Sequence, residues 1–173
     1  MSRIAPPSSL RLLGIDPGLN HTGWGMIDVN GNRLSFIACG RINPPAKAEM
    51  AERLAFLHTA LRGIIQEHRP QEAAIEETFV NNNSASALKL GMARGAAMLA
   101  PALEGLKVAE YSANLIKKSV SGYGHSDKDQ VAHMIKILLP LAELTSPDAT
   151  DALAVAITHA HHRSTHSLMD QAS

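Results

Sequence analysis

The chain has 173 residues, with 16 lysines and arginines balanced by 16 aspartates and glutamates. That length suits a single domain with a substantial core, while the zero net charge excludes the bulk basicity by which many nucleic-acid-binding proteins announce themselves. Aromatics are only 3% and Cys39 is the single cysteine, so Ala, Leu, Ile, Val and Met must fill the core, and an internal disulfide or cysteine-based zinc site is excluded.

Residues 1–9 read as a polar leader, too short and too polar for a signal peptide. Residues 10–163 read as one domain and residues 164–173 as a flexible tail. No apolar run approaches membrane-spanning length, and the lone cysteine suits a reducing, cytoplasmic setting. Leu10–Asp16 is an apolar run that ends on an acid, broken by Pro17-Gly18. Gly23–Val29 and Arg33–Ile42 follow as strands, with Asn30-Gly31 the hairpin signal between them. Cys39 reads as a small core residue of the third strand. Pro44-Pro45 ends this meander. Met50, Leu54, Leu57, Leu61 and Ile64 then recur at three- and four-residue steps, predicting an amphipathic helix from Ala46 to about His68.

Ala73–Glu76 is a short buried strand that also ends on an acid. Ser84 reads as the cap of a helix running to about Ala100. Ala85, Leu88, Met92, Ala96 and Leu99 form one apolar stripe on it; Ala87, Gly91, Gly95 and Met98 form another. One stripe should cover the sheet, and the other needs a second partner: another copy of the chain or another helix of the same one. Lys107–Tyr111 is a fifth strand, and Ser112 caps a helix to about Ser121. After a Gly-rich connector, Ser126-Asp127-Lys128-Asp129 reads as a helix start, with Val131, Met134, Ile135 and Leu138 buried. Ser146-Pro147 places a cap and a first-turn proline before a last helix, which should end near His161 or His162. The result is an α/β protein with a five-stranded mixed sheet, three antiparallel strands and then two parallel ones, with helices on both faces.

The chemistry lies in four acids. Asp16 and Glu76 end strands that leave the same edge of the sheet if they are parallel neighbours. Asp148 and Asp151 are three apart in a first helical turn, about 5–6 Å from one another; the helix dipole tolerates acids there, which is the ordinary explanation for such a pair. Four acids converging on one edge would raise one another's pKa values. Hard divalent cations relieve that repulsion, and all-oxygen ligation suits Mg²⁺ or Mn²⁺. Two ions roughly 3.5–4 Å apart, one activating water and one steadying the leaving oxygen, hydrolyse phosphodiesters. Between Asn81 and Lys128 the chain is mildly basic, with Lys89, Arg94, Lys107, Lys117, Lys118 and Lys128 against Glu104, Glu110 and Asp127.

Gly14-Ile15-Asp16-Pro17-Gly18 with Thr22-Gly23, Ala74-Ile75-Glu76, Ser86–Gly91 with Ala93-Arg94-Gly95, and Asp148–Ala154 together resemble the RuvC family of Holliday-junction resolvases. The resemblance runs from Leu10 to about His162. It implies a ribonuclease-H-like fold, a homodimer, and Mg²⁺-dependent paired nicking of four-way junction DNA in recombination and repair, alongside a branch-migration motor complex. It places the family's catalytic, metal-holding acids on Asp16, Glu76, Asp148 and Asp151. Two basic residues near the scissile phosphate fall on Lys117 and Lys128, and a DNA-contacting aromatic falls on Phe79. Read without the resemblance, Phe79 is a strand-end core residue and the lysines are solvated charges.

Asp-Pro-Gly followed by Thr-Gly also resembles the first phosphate loop of actin-like ATPases and sugar kinases, but the chain lacks the length for their second lobe. A related nuclease acting on ribosomal RNA precursors and a non-catalytic junction binder are the other readings. His159, His161, His162 and His166 look like a metal tract, yet they end a helix where partly cationic side chains suit the dipole. His21, close to Asp16 in sequence, has no assigned role.

Overall fold

The computed structural model describes residues 9–77 and 82–170, with side chains as far as Arg163. The elements run β1 (Leu10–Asp16), β2 (Thr22–Asn30), β3 (Arg33–Ile42), α1 (Met50–His68), β4 (Glu72–Glu76), α2 (Ser84–Leu103), β5 (Lys107–Tyr111), α3 (Ala113–Ser121), α4 (Lys128–Leu138) and α5 (Pro147–Asp170). The sheet order is β3-β2-β1-β4-β5. β1, β2 and β3 pair antiparallel, and β4 and β5 run parallel to β1, the mixed topology expected from the sequence.

Local chemistry moves several predicted boundaries. The β2–β3 hairpin pairs Asn30 with Arg33, so its two loop residues are Gly31 and Asn32 rather than Asn30 and Gly31. Gly31 alone takes positive φ, at 60°, the pattern of a type II′ turn. Helix α1 starts at Met50 instead of Ala46, because Glu49 and Glu52 form a reciprocal capping box. Asn83, not Ser84, caps α2, its side chain accepting from the Ser86 amide at 3.1 Å. That helix runs through Pro101 to Leu103, beyond its expected end near Ala100. Asp127, not Ser126, caps α4, closing its box with Gln130. Helix α5 continues to Asp170 rather than stopping at His161 or His162; no proline or glycine intervenes to end it.

The period-two alternation of strands sorts side chains between two cores. Leu13, Ile15, Met26, Ala73 and Ile75 face α1 and α2, meeting Leu57, Leu61, Ala93 and Ala97. Leu12, Ile27, Ala74 and Tyr111 face the other way, against α5, α3 and α4, meeting Ile116, Ile135, Leu153 and Ala156. Neither predicted stripe of α2 covers the sheet. Ala93, Ala97 and Ala100 face the core instead, their methyl-sized side chains letting α2 lie close along α1, while Leu88, Met92, Leu99 and Leu103 remain 40–64% exposed.

The seat of α5 depends on glycine. A Cβ on Gly14 would lie 2.1 Å from the Ala152 carbonyl oxygen, and one on Gly23 would lie 1.9 Å from that of Asp148. Helix backbone therefore rests directly on strand backbone, fixing the height and rotation of α5 with little freedom. Cys39 is partly buried beside the α5 core, its thiol donating to the Glu143 carbonyl at 3.2 Å.

Candidate active site

Parity decides where the acids point. Leu12, Gly14 and Asp16 alternate onto the α5 face of β1, and Ala74 and Glu76 onto the same face of β4. Ile15 pairs with Ile75, so the two strands end level and both carboxyls emerge under the start of α5. The loop after Asp16 is closed by Thr22, which is fully buried. Its Oγ1 donates to the Gly18 carbonyl at 2.7 Å and accepts from the Gly18 amide at 3.2 Å. From α2, Arg94 Nε donates to the Glu76 carbonyl at 3.2 Å while its Nη2 pairs with Glu110 at 2.8 Å, pinning the end of β4. Ser146 Oγ accepts from the Ala149 amide at 3.1 Å, starting α5 so that Asp148 and Asp151 occupy its first turns.

These pieces meet in a cleft of about 390 Å³ lined by Asp16, Glu76, Asp148, Asp151, Lys117 and Lys128, with apolar wall from α3, α4 and α5. Six of the seven residues singled out from sequence thus come together, and the seventh, Phe79, lies outside the described residues. Burial, then repulsion from Glu76, Asp151 and Asp148, pushes the Asp16 carboxyl up to about 8. Burial likewise raises Glu76, with Asp151 adding to it, and raises Asp151 against the opposing pull of Lys128. Lys128 Nζ lies 3.3 Å from Asp151 Oδ2, and that carboxylate holds the ammonium above its ordinary range. Arg41, which no motif or spacing singles out, brings Nη1 to 3.6 Å from Asp148 Oδ2. Among the described residues no three His, Cys, Asp or Glu side chains close into a ready-made ion cage; two of the four acids are drawn toward cations instead.

The histidines divide. His159 is buried inside α5 rather than ending it. Its Nδ1 meets the Tyr111 hydroxyl and its Nε2 meets Glu72 Oε2, both at 2.8 Å. Arg163 Nη2 donates to Glu72 at 2.6 Å, so this group ties α5 to the start of β4, at the end of the helix away from the acids. His161 contacts Ser119 at 3.3 Å, and His21 contacts Asn43 at 2.8 Å rather than Asp16.

A sheet of this order, with carboxylates leaving the first and fourth strands beneath an acidic helix start, defines a ribonuclease-H-like protein. The sequence profile described as crossover junction endodeoxyribonuclease RuvC matches residues 12–159. The chain is 62% identical to the protein of that description from Xanthobacter autotrophicus, covering 90% of this chain and 92% of the relative. It is 59% identical to that of Afipia carboxidovorans, covering 90% and 91%. Its backbone is similar to Thermus thermophilus RuvC in complex with Holliday junction substrate, with a TM-score of 0.84 at 30% identity over 91% of this chain and 96% of that one. The chain belongs to the RuvC family of crossover junction endodeoxyribonucleases.

Proposed function

We propose that this protein is a structure-selective endonuclease that resolves four-way DNA junctions by paired, Mg²⁺-dependent phosphodiester hydrolysis, in recombination and repair. The observation that carries the reading is the cleft in which four carboxylates from three separate elements meet beside two lysines, in a chain of this family.

The donor set fits a divalent ion. All four side chains offer hard oxygen. Burial, reinforced by repulsion from Glu76, Asp151 and Asp148, pushes Asp16 up, and a bound divalent ion would relieve that joint charge. Asp16, Glu76, Asp148 and Asp151 would hold two Mg²⁺ ions, with Mn²⁺ able to substitute. When bound, such ions supply a water nucleophile at neutral pH and charge stabilisation at the leaving oxygen. The chain's own cations do the rest. Lys128 is 78% exposed, so its ammonium can swing from Asp151 to a phosphate oxygen. Lys117, from α3, lines the same cleft, and both would steady charge developing on the scissile phosphate. Phe79, three residues after Glu76 in the chain, would be the DNA-contacting aromatic of this reading.

Residues 10–163 act as one nuclease domain in this reading, and two copies act together. Leu88, Met92, Leu99 and Leu103 form an exposed apolar row along α2, flanked by Gly91 and Gly95, where an added Cβ would meet nothing within 4 Å. A twofold dimer through that row would give two symmetric nicks. A cytoplasmic setting and a branch-migration motor partner follow from the same reading; among the described residues no helix is long and apolar enough to cross a membrane.

The test is nicking of a synthetic four-way junction against linear duplex and ribosomal RNA precursor, with and without Mg²⁺, alongside ATP hydrolysis. Mg²⁺-dependent nicks confined to the junction, abolished in Asp16→Asn while junction binding persists, are expected. Cleavage retained in Asp16→Asn would overturn the site assignment. Preferential cutting of the RNA would favour the related RNA-processing nuclease.

A further inference from the structure

Arg41 belongs to none of the roles above, and the sheet register explains its position. Arg41 pairs with Gly23, and Gly23 pairs with Asp16. Residues opposite one another on neighbouring strands share a face, so Arg41 rises on the α5 side with Asp16. Between them Gly23, lacking a side chain, lets the Asp148 backbone sit directly on β2, which brings the Asp148 carboxylate within reach of the Arg41 guanidinium. The two meet at 3.6 Å, with Arg41 38% and Asp148 27% exposed. That is long for a charge-assisted hydrogen bond, and an exposed pair of this kind contributes little stability. On the opposite wall Lys128 stands 3.3 Å from Asp151, with Lys117 beside it. The acids therefore lie in a trough with a cation on each lip. One strand of a duplex carries a phosphate about every 3.4 Å along the helix axis, so a strand centred on the acids presents flanking phosphates to both lips.

We propose that Arg41 is a phosphate-contacting residue that clamps the cleaved DNA strand at the β3 lip, exchanging its long approach to Asp148 for a bidentate grip on a phosphate beside the scissile group. The planar guanidinium suits that geometry better than an ammonium does. This rests on the nuclease reading above.

The test is junction affinity across a salt series in EDTA, for wild type, R41Q and R41K, with thermal midpoints measured in parallel. Removing one phosphate-binding charge should flatten the slope of log affinity on log salt by about one unit in R41Q, with R41K, which keeps the charge, retaining most of the slope. Should R41Q fail to fold, R41M keeps the aliphatic stem and carries the same comparison. A folded R41Q with the wild-type slope overturns the proposal. So does a change confined to Mn²⁺ affinity, read by calorimetry without DNA, which would make Arg41 a partner of Asp148 alone. Wild-type protein that binds linear duplex as well as the junction would instead remove the junction reading while leaving the slope comparison intact.

Discussion

Replacing Asp16 by Asn in the metal-free protein exchanges a carboxyl for an uncharged amide of nearly equal size. In the folded chain that carboxyl titrates at about 8, against an ordinary value of 3.8, chiefly through burial and then through Glu76, Asp151 and Asp148. Between those two values the folded state holds a proton that the unfolded state has released. Stability from this group is therefore complete below about pH 4 and declines as pH rises toward 8, at up to about 1.36 kcal/mol per pH unit. From pH 5 to 7 the ceiling is about 2.7 kcal/mol, and because the proton is shared with the neighbouring acids about 1–2.5 kcal/mol is expected. Asp16→Asn should thus unfold at higher urea than wild type in EDTA at pH 7, with the gap narrowing steadily through pH 5 and closing only near pH 4. Saturating Mg²⁺ should stabilise wild type and leave the variant little changed, by mass action on the folded state. Urea titrations at each pH, with and without Mg²⁺, read all of this directly. A wild-type minus variant difference that stays flat from pH 5 to 8 in EDTA would refute the argument that burial, with the neighbouring acids, keeps a proton on Asp16 in the folded chain.

Gly14→Ala should cost about 3 kcal/mol or more, because its Cβ would meet the Ala152 carbonyl oxygen at 2.1 Å; a thermal midpoint within a degree or two of wild type would contradict the close seating of α5. Lys117→Ala and Lys128→Ala should each slow single-turnover nicking at least tenfold at saturating enzyme, about 1.4 kcal/mol of transition-state stabilisation; normal rates once binding is saturated would move both to the ordinary phosphate-contacting surface. Leu99→Asp, on the exposed row of α2, should shift the sedimenting species from dimer to monomer at micromolar concentration while leaving the thermal midpoint of the monomer intact; an unchanged dimer would place the self-association surface elsewhere.

The acids are legible in the sequence because each carries a local signal. Asp16 and Glu76 are charges on the last residue of apolar strands, an arrangement costly enough to demand a reason. Asp148 and Asp151 follow a Ser-Pro helix start, which fixes their shared face. Arg41 carries no such signal. Its approach to Asp148 depends on cross-strand register, and β2 and β3 are out of simple step where the pairing shifts between Met26 and Ile27. Counting along the chain cannot supply that. The buried face of α2 is hidden for a different reason: hydrophobicity ranks leucine above alanine, whereas close packing of α2 along α1 selects for smallness, so Ala93, Ala97 and Ala100 go inside and the leucines stay out. His159 resembles one of several helix-end histidines because its partners, Tyr111 and Glu72, are distant in sequence.

The glycine bed beneath α5 also bears on how the protein can move. A helix held by interlocking side chains can loosen by rotamer changes, one residue at a time. One resting on strand backbone at Gly14 and Gly23 has no such intermediate states, and its far end is tethered by the Glu72, His159 and Arg163 group. Lifting α5 then means dissolving the centre of the sheet. In native-state hydrogen exchange its central amides, from about Ala152 to Thr158, should exchange only through global unfolding, matching the full free energy of the fold. Asp148 and Asp151 would be carried on the last element to let go, while the lysines opposite are carried by the shorter helices α3 and α4.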